Sequence, residues 1–215
     1  MKKLLATLVS VFFICSTTAM AEIGIGVSAN YANIDTDGKE VELTGDKETT
    51  TASHSNDVLV PEVFVEAIAD NGWTIGFAYI PARELGAKSR TDTSPTADTE
   101  TADAGTYTAK AEIKNVMQLY TDIPIGPVYA KLGISRAGIK TQEVNPTSTT
   151  YGDKDVNGYT VGLGFKGDVF TNAFYKIEAT YTDFDEFREM DSNSDHRVIA
   201  NTEVTSLKLS TGIKF

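Results

Sequence analysis

Residues 175–182 read Tyr-Lys-Ile-Glu-Ala-Thr-Tyr-Thr. Tyr175, Ile177, Ala179 and Tyr181 fall on odd positions, and Lys176, Glu178, Thr180 and Thr182 on even ones. A period of two puts these sets on opposite faces of a strand, whereas a helix would mix them. Working outward, the same alternation recurs seven more times. In 22–34, Ile23, Ile25, Val27, Ala29 and Tyr31 oppose Gly24, Gly26, Ser28 and Asn30. In 58–69, Val63, Val65 and Ala67 oppose Glu62 and Glu66, and in 73–82, Trp73, Ile75, Phe77 and Tyr79 oppose Thr74, Gly76 and Ala78. In 106–121, Tyr107, Ala109, Ala111 and Ile113 oppose Lys110, Glu112 and Lys114. In 128–135, Val128, Ala130, Leu132 and Ile134 oppose Tyr129, Lys131, Gly133 and Ser135. In 156–166, Tyr159, Val161, Leu163 and Phe165 oppose Gly158, Thr160, Gly162, Gly164 and Lys166, and in 206–215, Leu207, Leu209, Ile213 and Phe215 oppose Lys208, Ser210 and Lys214.

The connections alternate too. Segments 70–72, 122–127 and 167–172 are short and rich in turn residues, while 35–57, 84–105, 140–155 and 183–203 are long and polar. Eight strands with long and short connections at opposite ends predict an all-β fold: an eight-stranded antiparallel up-and-down transmembrane β-barrel with four long outer loops and three short periplasmic turns. Pro61, Pro81, Pro124 and Pro127 suit strand ends or turns, where no ladder donor is required.

Alternation alone also fits a soluble barrel with an apolar lumen. Charge separates the two. The polar faces carry Glu62, Glu66, Lys110, Glu112, Lys114, Lys131, Lys166, Lys176, Glu178 and Lys208, and the opposite faces carry almost none. Acids and lysines that can pair across a lumen suit the membrane version, so these ten are the candidate luminal charge network. Aromatic residues on the apolar faces sort into two levels, with Tyr31, Tyr79, Tyr107, Tyr159 and Tyr181 toward the long loops and Trp73, Phe165 and Tyr175 toward the short turns. Amphipathic rings at two levels are the expected interfacial girdles.

The N-terminus reads differently. Lys2 and Lys3 precede an apolar run at 4–14, and Ala19-Met20-Ala21 supplies small residues around a cleavage point, so 1–21 is expected to be a signal peptide and 22–215 the mature barrel domain. Export to the cell outer membrane follows. Cys15 is the single cysteine and lies in that leader, so the mature chain offers no disulfide, cysteine nucleophile or thiolate metal site. With 30 acidic against 19 basic residues, a formal charge of -11 and a pI near 4.6, the chain lacks the basic footprint of a nucleic-acid binder. No cofactor is expected.

The chain ends Lys-Leu-Ser-Thr-Gly-Ile-Lys-Phe at 208–215, alternating up to an outward aromatic. With the leader and the eight-strand pattern, this resembles the small bacterial outer-membrane β-barrels of OmpA and OmpX type, including the opacity-like surface proteins. The resemblance implies that Phe215 is an assembly signal read by the barrel-assembly machinery, and that the barrel contacts outer-membrane lipid and lipopolysaccharide.

The four long segments hold 22 acidic and 8 basic residues, so the outer surface is expected to be strongly anionic. Oxygen-bearing side chains alternate at 35–38, 153–155 and 191–195, as hard cations prefer, but His196 and Thr202 stand where a helix-loop-helix calcium site needs Gly and Glu. No metal site is therefore assigned. His54 and His196 are the only histidines, each near serine and aspartate in loop segments that promise no rigid base and nucleophile. No catalytic residue is assigned, and the expected role is non-enzymatic: structural, adhesive or shielding, toward an unidentified host or surface ligand. A small passive pore and a periplasmic lipocalin-like carrier are the alternatives.

Overall fold

The computed structural model describes residues 22–43, 47, 49–92, 105–144, 151–192 and 196–215, and the side chains of these apart from 83–92, 105–111 and 141–144. The expected leader at 1–21 lies outside the described residues. Eight strands follow in chain order: β1 (Glu22–Glu42), β2 (Thr49–Ile68), β3 (Thr74–Asp92), β4 (Gly105–Ile125), β5 (Val128–Val144), β6 (Lys154–Phe170), β7 (Ala173–Met190) and β8 (His196–Lys214). Each pairs antiparallel with its chain neighbours, and β8 returns to β1, so the sheet closes into an up-and-down barrel. Phe215 completes the closure by exchanging backbone hydrogen bonds with Ile23.

The strands run well beyond the apolar segments that announced them. Of 35–57, expected as a loop, 35–42 belongs to β1 and 49–57 to β2, and Asp35 pairs in register with Ser55 on one side and Glu203 on the other. The other three long segments are shortened likewise, because β3 reaches Asp92, β5 Val144 and β7 Met190. Beyond the apolar segments the strands carry polar side chains on both faces, so ladder hydrogen bonds persist while apolar alternation does not. At the opposite end the connections are tight: Gly72 (φ 84°) and Gly126 (φ 64°) hold left-handed turn conformations, and Asn71 accepts a hydrogen bond from the Trp73 amide through its side-chain oxygen.

The exterior carries an apolar belt. On β1 it runs from Ile23 to Tyr31, on β6 from Phe165 to Tyr159 and on β7 from Tyr175 to Tyr181. The eight residue steps on β1 rise about 26 Å along the strand and about 20 Å along the axis of a barrel tilted by about 40°, and the six on β6 and β7 about 20 and 15 Å. One step above the belt stand Asn33, Asp57, Arg136, Asn157 and Asp183. The boundary is sharp. Apolar outside and charged inside is the arrangement of transmembrane barrels and the reverse of soluble ones.

Candidate functional site

The lumen opposite this belt has three levels. The lowest is ionic and begins with Glu66, fully buried, whose carboxylate accepts from Lys166 Nζ at 3.0 Å, Lys176 Nζ at 3.1 Å and the Tyr120 hydroxyl at 3.1 Å. Lys176 also reaches Asp122 at 2.6 Å, Asp122 meets Lys131 at 2.8 Å, and Lys131 meets Glu178 at 2.9 Å. Beside this chain Lys208 holds both oxygens of Glu62, at 2.9 and 2.7 Å. Four acids face four lysines, so the set balances in charge. Burying charges is expensive unless each finds a partner, and every member here has at least one.

Aromatic rings complete the floor. Lys131 Nζ lies 3.4 Å from the Tyr120 ring centroid, Lys166 Nζ 4.4 Å from that of Phe174, and Phe64 packs against Phe174 with centroids 6.2 Å apart. These rings need glycine beneath them. A Cβ on Gly76 would occupy the position of the Tyr120 ring, and one on Gly164 that of Tyr129. Gly76→Val is therefore expected to displace Tyr120 from Glu66 and to lower stability by about 1–3 kcal/mol, the range for overpacking. Urea unfolding in lipid vesicles measures it, and an unchanged midpoint would show that the ring is not held there.

Above the floor is a belt of hydroxyls: Ser28 with Ser210 at 2.8 Å, Thr180 with Ser206 at 2.7 Å, and Thr160 with Thr182 at 2.8 Å, with Gln118 donating to Ser135 and Thr160. The third level is apolar. It includes Ala32, Ile34 and Val60, and further outward a cluster of Ala137, Val156 and Phe187 packed by Ile113, Val116 and Phe184, whereas Ala78 packs lower, on Phe64, Tyr120 and Phe174.

Of the ten residues expected in the luminal network, Glu62, Glu66, Lys131, Lys166, Lys176, Glu178 and Lys208 lie together in the floor. Lys114 does not. It is 43% exposed and bonds Asp153 at 2.5 Å, a hydrogen bond that raises its pKa above the ordinary lysine value. The cause is a bulge in the β4–β5 ladder between Ile113 and Val116. Past it the faces exchange, Ile113 turns into the inner cluster, and its neighbours Glu112 and Lys114 turn outward. Lys110 stands higher still, opposite Ala87 and Gln142, away from the floor, and its side chain is outside the described set. Asp122, assigned from sequence to a turn, is a floor member instead, because β4 continues to Ile125.

Among the girdle residues, Tyr31, Tyr79, Tyr159 and Tyr181 are exposed toward the outer end and Trp73 and Phe165 toward the turns. Tyr175 packs on Phe165 with centroids 5.9 Å apart, and Phe215 is 71% exposed at the lower rim. Tyr107 departs from this pattern: it lies ten residues above Met117 on β4, paired in register with Arg90, and is not level with the other four tyrosines.

Neither histidine sits in a loop. His54 is exposed on β2 opposite Thr36, and His196 opens β8 with Nδ1 3.5 Å from Asp191. The oxygen-rich segment 153–155 is engaged by cationic side chains: Asp153 by Lys114 and Asp155 by Arg136 at 2.7 Å. The segment 35–38 is strand, with alternate residues on alternate faces, and 193–195 lies outside the described residues.

With ring closure, floor and belt together, the chain is an eight-stranded β-barrel with a charged interior and an apolar exterior. No protein-family model and no curated sequence relative matches it. Solved structures similar to it include Ail, the attachment invasion locus protein of Yersinia pestis, at 12% identity over 91% of this chain and 99% of that one, with a TM-score of 0.37. Neisserial surface protein A is similar at 12% identity over 90% and 97%, with a TM-score of 0.42. The outer-membrane protein OprG of Pseudomonas aeruginosa is similar at 13% over 89% and 96%, with a TM-score of 0.48. The strand count and closure rest on the ladders themselves.

Proposed function

We propose that the chain is a non-enzymatic outer-membrane barrel whose lumen is closed by its ionic floor and whose role, adhesive or shielding, is exercised by the acidic strand extensions and loops above the belt. The observation that carries the reading is the eight-residue floor of matched charges beneath an apolar exterior. An eight-stranded barrel has an interior only wide enough for side chains, and here those side chains neutralise one another. A passive pore would need the floor to part. A soluble carrier would need Leu59, Leu132, Leu163 and Leu209, each at least 48% exposed, to stand in water.

In this reading the belt contacts membrane lipid and, in the outer leaflet, lipopolysaccharide, and Phe215 presents the last strand to the assembly machinery. The extensions carry their own pairs, Arg136 with Asp155 and Lys154 with Glu189, which stiffen the platform on which the acidic tips are displayed.

Two measurements test it. Single-channel recording of the refolded barrel should show at most small, rare openings, and steady large conductance would overturn the closed floor. Protease treatment of intact cells should cut only at the connections 43–48, 93–104, 145–153 and 191–195, with the three turns at the other end protected. Whole-chain release in the soluble periplasmic fraction would overturn the membrane reading.

A further inference from the structure

The outer end of the barrel is crossed by a strap. Tyr151, three residues before β6, forms an antiparallel bridge with Asp191, the residue after β7. The Asp191 amide donates to the His196 carbonyl at 3.0 Å, and the Asp191 carboxylate accepts from the His196 amide at 3.2 Å. His196 in turn is the register partner of Glu42 on β1. The sheet therefore continues around this part of the rim from Tyr151 to β1, a path of three strand spacings or about 14 Å along the wall.

The Tyr151 side chain does not follow the wall. Its hydroxyl donates to Glu40 Oε1 at 2.9 Å. Neither ladder of β1 shifts register, so Glu40 belongs to the same even-numbered, lumen-facing set as Ser28, Asn30, Ala32 and Ile34. Two long side chains thus meet inside the ring and take the chord across the mouth. A second tie holds the other end of 151–154: Lys154 Nζ donates to the Arg188 carbonyl at 2.7 Å and meets Glu189 at 3.1 Å.

What lies beneath explains the cover. Ala137, Val156 and Phe187 are 2%, 4% and 5% exposed, with Ile139, Val198 and Ala200 among the side chains packed on them. Phe187 stands four residues before Asp191 on β7, and Val198 two after His196 on β8, so the strap lies just outward of an apolar cluster that is already above the lipid belt. An open mouth would wet these side chains. Asp191 itself, a carboxylate at the very end of a strand, is only 5% exposed. Yet the Glu40 bond and the Lys154 pair are made by exposed groups, and such contacts contribute little each. The strap can leave while the ladders below it stay whole.

We propose that 151–154 is a releasable cap: bound to Glu40, it closes the mouth over the Phe187 cluster, and released, it bares that cluster to the outside with the barrel intact. The proposal rests on the membrane reading only in placing the mouth outside the cell, where the capped state is the shielding one.

The test uses residues 22–215 in lipid nanodiscs with methyl-labelled isoleucine and valine, and a soluble gadolinium chelate that speeds relaxation of methyls within reach of water. Tyr151→Phe deletes the bond to Glu40 and should raise the enhancement at the Ile139, Val156 and Val198 methyls about two- to tenfold, the worth of one hydrogen bond. The lipid-facing Val161 methyls should not change. Adding Lys154→Met should raise the cluster values further. Glu40→Cys with Tyr151→Cys, in a chain that has no cysteine after Cys15, should match Tyr151→Phe when untreated and return to the wild-type value once a short bis-maleimide joins the two thiols. Enhancement in Tyr151→Phe equal to that of the wild type, or unmoved by the cross-link, would overturn the cap. Gel mobility of unheated samples separates the two readings: a wild-type chain that never inserts refutes the membrane assignment, and an inserted barrel whose cluster methyls ignore these changes refutes this one.

Discussion

Lys176→Met should lower the unfolding free energy by about 3–5 kcal/mol, the cost of removing one partner from a buried ion cluster. Lys176 bridges Glu66 and Asp122, and its loss leaves two carboxylates competing for lysines that already have partners. Lys166→Met removes the same charge from a side chain 23% exposed with one recorded carboxylate partner. It should cost less, about 1–2 kcal/mol, because buried Glu66 keeps Lys176 and the Tyr120 hydroxyl as donors. Urea titration in vesicles, read by tryptophan emission and by mobility of unheated samples, compares them. Equal losses would mean that the floor is not the tightly buried network its distances describe.

The second large effect belongs to the outer face. Leu163 is 62% exposed at the middle of the belt on β6, with Ala130 and Ala179 as its register partners. Leu163→Arg should cost about 2–4 kcal/mol in a bilayer, and Asn157→Arg, one step above the belt on the same strand, about 0–1 kcal/mol. That gradient is a property of lipid surroundings. Were Leu163→Arg neutral, or were it to make the chain soluble without detergent, the belt would face water and the carrier reading would replace the membrane one.

Which parts of this architecture were legible in the sequence follows from where physics demands a pattern. In the belt each strand faces lipid on one side and charge on the other, so positions such as Ile177 and Glu178 declare themselves. Above the belt the demand lapses, and 35–42 and 183–190 read as polar loops although their backbones remain paired. Asp122 was hidden because aspartate before Pro124 resembles a turn start, while its burial depends on Lys131 and Lys176 from two other strands. The bulge at 113–116 inverted the reading of Glu112 and Lys114, since a single extra residue leaves local alternation looking intact. Phe64 and Phe174 are apolar residues on polar faces, and only glycines brought close by neighbouring strands explain their place.

The register that joins β8 to β1 also carries information about synthesis. Because the first and last strands are partners, and Phe215 itself bonds to Ile23, a chain cut short anywhere before β8 keeps an open edge on β1. Such edges recruit other strands and mark the product as unfinished. Closure therefore works as a test of length: β8 must be present before the ring can seal, and this longest-range contact is the slowest kind to form.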